Sequence, residues 1–163
     1  MAAVDYFIKI EGIEGESTDD KHKNEIDLES FSWGATQSTP RDLATGMASG
    51  KGKVSVKDFN FTMKTSKASP KLFLACCNGQ RIKSAVLVAR KAGKEQQEYL
   101  KVTLSDCLVS KFEAGASPND LVPNEQIGLS FSKIEIEYKD QKVDGSLGGA
   151  TKAGYDMKAN KSV

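Results

Sequence analysis

Apolar and polar residues alternate along much of this chain. In "VDYFIKI", residues 4–10, Val4, Tyr6, Ile8 and Ile10 alternate with Asp5 and Lys9. A period of two is that of a β-strand with one buried face. The runs "KVSVKDFNFTMKT", "RIKSAVLVARK", "EYLKVTLSDCLVSKFE" and "QIGLSFSKIEIEYK" follow, rich in β-branched and aromatic residues that suit strands. Between two of them, "KAGKEQQ" reads as a hairpin connection. One helix is predicted over about 69–78, in "SPKLFLACCNGQ", with Ser69 as N-cap, Pro70 at the first helical position and Gly79 as the stop. Leu72, Ala75 and Cys76 share one face of it, and Phe73 and Cys77 widen that face.

Three strand runs change phase partway along. Ile26 and Leu28 give way to Phe31 and Trp33; Val54 and Val56 to Phe59, Phe61 and Met63; and Ile127, Leu129 and Phe131 to Ile134, Ile136 and Tyr138. A regular strand keeps one parity, because successive side chains face opposite sides. Each switch predicts either a β-bulge that restores the facing or a strand that serves a different buried surface at each end. A barrel whose outer wall packs on neighbouring subunits would supply that second surface.

Length and composition narrow the function. A chain of 163 residues is expected to form one domain, over residues 1–163, with a single core. Its formal net charge of +1 does not single out nucleic acid as a partner. The longest strictly apolar run, "LFLACC", is too short to cross a membrane as a helix, so no membrane insertion is expected. The opening "MAAVDYFIKIEGIEGE" lacks a basic leader followed by an apolar core, so no classical secretory signal is expected. Cys76, Cys77 and Cys107 show neither a CxxC spacing nor an even disulfide set, and read as small packing residues suited to a reducing cytosol.

No candidate chemistry survives inspection. His22, the lone histidine, sits near Asp19, Asp20 and Glu25 but lacks the second imidazole or thiolate of an ordinary zinc site. It reads as part of a polar loop, Glu16 to Asn24, exposed to solvent. "GMASGKGKVS" has three residues between Gly46 and Gly50, places Gly52 after Lys51, and leads into a strand, so it is not a phosphate-binding loop. No GxSxG elbow is present and no carboxylate pair stands out. No metal, cofactor or catalytic residue is therefore expected. Charge is unevenly spread: residues 11–29 carry eight acids against two lysines, and residues 41–71 carry seven bases against two aspartates. Solvated charges account for this, and so does a head-to-tail assembly that matches one face to another.

The stretches "FIKIEGIEGES", "KHKNEIDLESFSWG", "GKGKVSVKDFNFTMKTSKASPKLFLACCNGQ", "VARKAGKEQQEYLKVTLSDCLVS", "EQIGLSFSKIEIEY" and "GYDMKANK" run nearly the whole chain in order. Together they resemble the haemolysin-coregulated protein (Hcp) family, the tube subunit of the bacterial type VI secretion system. The resemblance implies a mainly β fold: a two-sheet β-barrel with one flanking α-helix and a long extended loop, assembled as a hexameric ring. It implies stacked rings inside a sheath, partnership with baseplate and VgrG-type spike proteins, and effector proteins carried in the lumen. The subunit would assemble in the cytoplasm and leave through the apparatus without a cleaved signal peptide. The rival readings are a small-molecule-binding β-barrel and an exported effector with an Hcp-like domain.

Residues then acquire expected roles. Phe31 and Trp33 are buried anchors of a wall strand, and Ser32 between them faces the lumen. Residues 35–53 form a long loop, unusual in a compact domain unless functional or disordered. By resemblance this loop reaches the next ring, with Arg41, Asp42, Leu43, Met47, Lys51 and Lys53 as its contact residues.

Overall fold

The structure, a computed structural model, describes residues 4–38, 54–91 and 96–163. The strands are β1 (Val4–Ile10), β2 (Ile26–Leu28), β3 (Ser30–Gln37) and β4 (Val54–Lys64), then the helix α1 (Ser69–Asn78). After it come β5 (Ile82–Lys91), β6 (Glu98–Gly115), β7 (Asn124–Ser130), β8 (Lys133–Gln141), β9 (Leu147–Asp156) and the short β10 (Lys161–Ser162). Every pairing between them is antiparallel. One sheet runs in the order β10-β9-β8-β6-β5-β1-β2 and a second in the order β3-β4-β7-β6. The 18-residue β6 belongs to both: its first half pairs with β5 and β8, its second half with β7. The passage between sheets falls at Asp106, whose φ of 55° bends the strand. An aspartate tolerates that left-handed geometry. Its carboxylate accepts from Ser132 Oγ at 3.0 Å and from Arg81 at 2.7 Å, which ties down the corner.

The three phase switches have two different causes. In β4 the pairing with β3 slips between Ser32 and Gly34, so that one extra residue of β4 bulges out near Asp58. The other two are changes of sheet. Ile26 and Leu28 lie in β2 beside β1, whereas Phe31 lies in β3 beside β4. Likewise Ile127 and Leu129 lie in β7 of the second sheet, and Ile134 and Ile136 in β8 of the first.

Between the sheets Phe59, Phe61, Met63, Leu72, Leu87, Leu104, Ile127 and Leu129 are almost wholly buried. These side chains fill the barrel, and their removal from water is the main favourable term in the fold. Helix α1 packs on β6, with Leu72 and Ala75 in the core. Its N-cap is Ala68 rather than Ser69; Ser69 is instead the first helical residue, and its Oγ accepts the Ser66 N–H at 3.0 Å. Gly79 ends the helix with φ 66°, a left-handed cap that glycine adopts without strain. The cysteines part company: Cys107 is buried and Cys76 half-buried, but Cys77 is exposed, and so is Phe73 one turn before it.

Candidate functional site

Two rows of short polar side chains cross the outer face of the second sheet. Strand register aligns Ser30, Thr62, Gln126 and Glu113 in one row, and Ser32, Asn60, Gly128 and Lys111 in the next. Ser30 and Thr62 share a hydroxyl hydrogen bond of 2.6 Å. Ser32 is exposed, and it borders a shallow depression of about 330 Å³ with Asn60, Lys111 and Gln126. Position 128 is tightly surrounded: a Cβ there would lie 3.0 Å from both the Lys111 Cβ and the Ser110 Oγ, so a larger residue requires those side chains to shift.

On the opposite side of β3, Phe31 and Trp33 pack against the core, half-buried rather than fully buried. The Phe31 ring stacks on Phe59 with centroids 5.8 Å apart and meets Tyr6 edge-on at 5.1 Å. Their incomplete burial follows from position, since β3 pairs only with β4 among the described residues. Strand β3 also continues to Gln37, so residues 35–37 are strand rather than loop. Arg41, Asp42, Leu43, Met47, Lys51 and Lys53 lie outside the described residues.

The segment around His22 is exposed over most of its length, as expected, but Ser17 and His22 within it are buried. It folds back on itself through Gly15 N–H to Asn24 O at 2.8 Å and Ser17 N–H to Glu25 O at 3.0 Å, then lies over β1 and β5. His22 is only 5% exposed and stacks on Phe7, with centroids 4.4 Å apart. Its Nδ1 is 2.9 Å from Glu25 and its Nε2 is 2.7 Å from Glu98. Beside it Arg90 is buried over the Phe7 ring and binds Asp19 through both terminal nitrogens, and Asp5 as well. The hydrogen bond from Arg90 pulls the Asp19 carboxyl down to about 2. His22, Glu25 and Glu98 make one polar knot and Arg90, Asp19 and Asp5 another, and together they fasten the segment to the barrel. Among the described residues no group of three His, Cys, Asp or Glu side chains is arranged to hold a metal.

This clasp was hard to find from sequence, because Glu98 is 76 residues from His22. One signal was present. Residues 87–90 of β5 are buried in succession, as expected for a strand covered on both faces, and "AVLVA" reads that way before Arg90. The second cover is the chain's own residues 14–25, so a neighbouring subunit is not required to explain it.

The family model described as "Type VI secretion system effector, Hcp" matches residues 7–138. The chain is 41% identical over 160 residues to protein hcp1 of Pseudomonas aeruginosa, covering 97% of this chain and 98% of that one. Among solved structures it resembles Hcp1 from Salmonella typhimurium, with 41% identity, a TM-score of 0.82, and coverage of 99% of this chain and 100% of the other. A structure described as a type six secretion system protein aligns with a TM-score of 0.91 at 28% identity, over 99% of this chain and 100% of that one. With the fold, the sequence and the architecture in agreement over almost its whole length, the chain belongs to the Hcp family of type VI secretion tube subunits.

Proposed function

We propose that six copies of this chain close into a ring, that the polar face bearing Ser32 is the wall of its lumen, and that stacked rings carry effector proteins out of the cell. The observation that carries this reading is the pair of polar rows on the second sheet. Hydroxyl and amide groups dominate them, and the charged Glu113 and Lys111 stand at their β6 end. Such a surface stays wetted and offers many weak contacts, which suits a passage that must hold and then release varied proteins. A small-molecule barrel is disfavoured, because Phe59, Phe61, Met63 and Leu129 occupy the interior where its ligand would sit. The role is structural rather than catalytic. Assembly takes place in the cytoplasm, and export proceeds through the apparatus with a VgrG-type spike at the tip and a sheath and baseplate around and below.

Charge placement supports head-to-tail stacking. Strands β3 and β4 pair Gln37 with Val54 at one end of the second sheet, and the β6–β7 connection lies at the opposite end, where Lys64 pairs with Asn124. Glu16 and Glu29 lie beside Lys64 and Thr65 at that opposite end, and Glu14 reaches Lys67 at 3.8 Å. Arg41, Lys51 and Lys53 of one ring would therefore meet acids of the next. Native mass measurement tests the ring: a mass six times that of the chain is expected, and a monomer at high concentration would refute it. Ser32→Gln should keep that mass while reducing effector co-purification, and unchanged retention would remove Ser32 from the lumen wall.

A further inference from the structure

Among the described residues, an apolar groove and an apolar ridge flank opposite edges of the second sheet. The first is a groove of about 220 Å³ beside β3, walled by Trp33, Val54, Val56, Ile136, Tyr155 and Met157. No charged side chain lines it. It is smaller than the roughly 300–1,000 Å³ of an ordinary small-molecule site and better matched to one or two inserted side chains. The second is a ridge on α1, where Phe73 is 54% and Leu74 57% exposed next to Cys77. Phe73 packs edge-on against Phe112 of β6, with ring centroids 5.7 Å apart. Strands β3 and β6 are the two ends of the sheet order β3-β4-β7-β6, which puts the groove at one end and the ridge at the other.

A closed ring built from one kind of subunit needs two different surfaces on each copy, because each contact is heterologous. A contiguous apolar patch left in water is a recognised mark of an interaction site. We infer that the α1 ridge of one subunit inserts Leu74, with Phe73 at its shoulder, into the Trp33–Val56–Tyr155 groove of the next. This inference rests on the ring reading given above and supplies its lateral contact. The groove offers apolar walls to an apolar ridge, and a concave surface to a convex one. A rigid aromatic-lined pocket receiving an anchor side chain is the usual form of an interface hot spot.

The test uses the full chain. Leu74→Glu and, separately, Val56→Glu place a charge on each side of the contact. Both should shift the native mass from six copies to one while circular dichroism stays that of the wild type. Self-association should weaken by at least about 30-fold, the scale of a lost hot spot. A variant that stays six-fold overturns the contact but leaves the ring standing, as would occur if residues 39–53 of the same chain filled the groove. A wild type that is monomeric overturns the ring itself. Loss of assembly by Leu74→Glu alone would mean that the ridge docks elsewhere. A cross-link keeps the inference falsifiable if a glutamate disturbs folding. With Cys77→Ser in place, Leu74→Cys and Val56→Cys should oxidise into a covalent ladder that ends at six subunits, and absence of the ladder refutes the contact.

Discussion

At the scale of single residues, burial and charge decide the outcome of substitution. Phe59 is fully buried between Phe31 and Phe61, so Phe59→Ala should cost about 3–5 kcal/mol in chemical denaturation. Trp33 is only half-buried, and Trp33→Ala in the isolated subunit should cost about half as much. Asp19 gives a pH signature. Its carboxyl is lowered from 3.8 to about 2 by the hydrogen bond from Arg90, so its contribution is fully present above the unfolded value and is lost as pH falls through the folded one. Unfolding titrations should therefore show on the order of 2 kcal/mol disappearing between about pH 4 and pH 2. Asp19→Asn should remove that slope; a slope unchanged in the variant would mean that another acid is responsible. Thiol chemistry separates the cysteines in the same way. Native protein should label rapidly at exposed Cys77 and not at Cys107, which is buried and whose thiol is pushed up to about 12 by that burial.

At the scale of elements, the segment over residues 14–25 behaves as a strap. Gly15 makes it possible: a Cβ at that position would lie 2.4 Å from the Glu25 carbonyl oxygen. Gly15→Ala must push the two arms of the strap apart, at a cost of about 1–3 kcal/mol, as for other forced overpacking. Limited proteolysis should then cut near residues 18–24 in the variant and spare the wild type. Equal resistance would show that the strap can widen without leaving the barrel. The strap also explains why phase and burial diverge in β5, where the outward side chains Val88 and Arg90 are as hidden as the inward ones.

For the whole molecule, the fold gathers part of the acidic stretch at one end of the second sheet. Some acids of the 11–29 stretch are engaged within the subunit, Asp19 by Arg90 and Glu25 by His22. Glu14 and Glu29 make longer, exposed pairs with Lys67 at 3.8 Å and Lys64 at 3.7 Å, and with Glu16 they sit at the Lys64 end of the second sheet. Exposed ion pairs contribute only about 0–1 kcal/mol each, but a ring repeats each of them at every subunit. Reversal of Arg41 and Lys51 to glutamate should leave single rings intact, abolish stacking seen by electron microscopy and stop secretion. Stacking of wild-type rings should weaken as salt rises, since such contacts are screened. Normal secretion by the double variant would make the connection a passive linker.

Sequence alone determined the strand content, the place and end of the helix, the three points where phase breaks and, through the resemblance of ordered stretches along the chain, the family. These are local properties: the two-residue period, a proline at a helix start and a glycine at its stop act over a few neighbours. Only the tertiary structure decided that Val54–Met63 breaks phase at a bulge whereas Leu28–Phe31 and Phe131–Ile134 break it by changing sheets, since both produce the same pattern along the chain. Only the tertiary structure turned His22 from a loop residue into the centre of a clasp, because Phe7, Glu25, Glu98 and Arg90 come together through strand pairing across more than 70 residues. The same holds for Cys77, which is exposed although its spacing from Phe73 and Cys76 suits a buried face, since how deeply a helix sits on a sheet is a matter of packing that helical spacing does not encode.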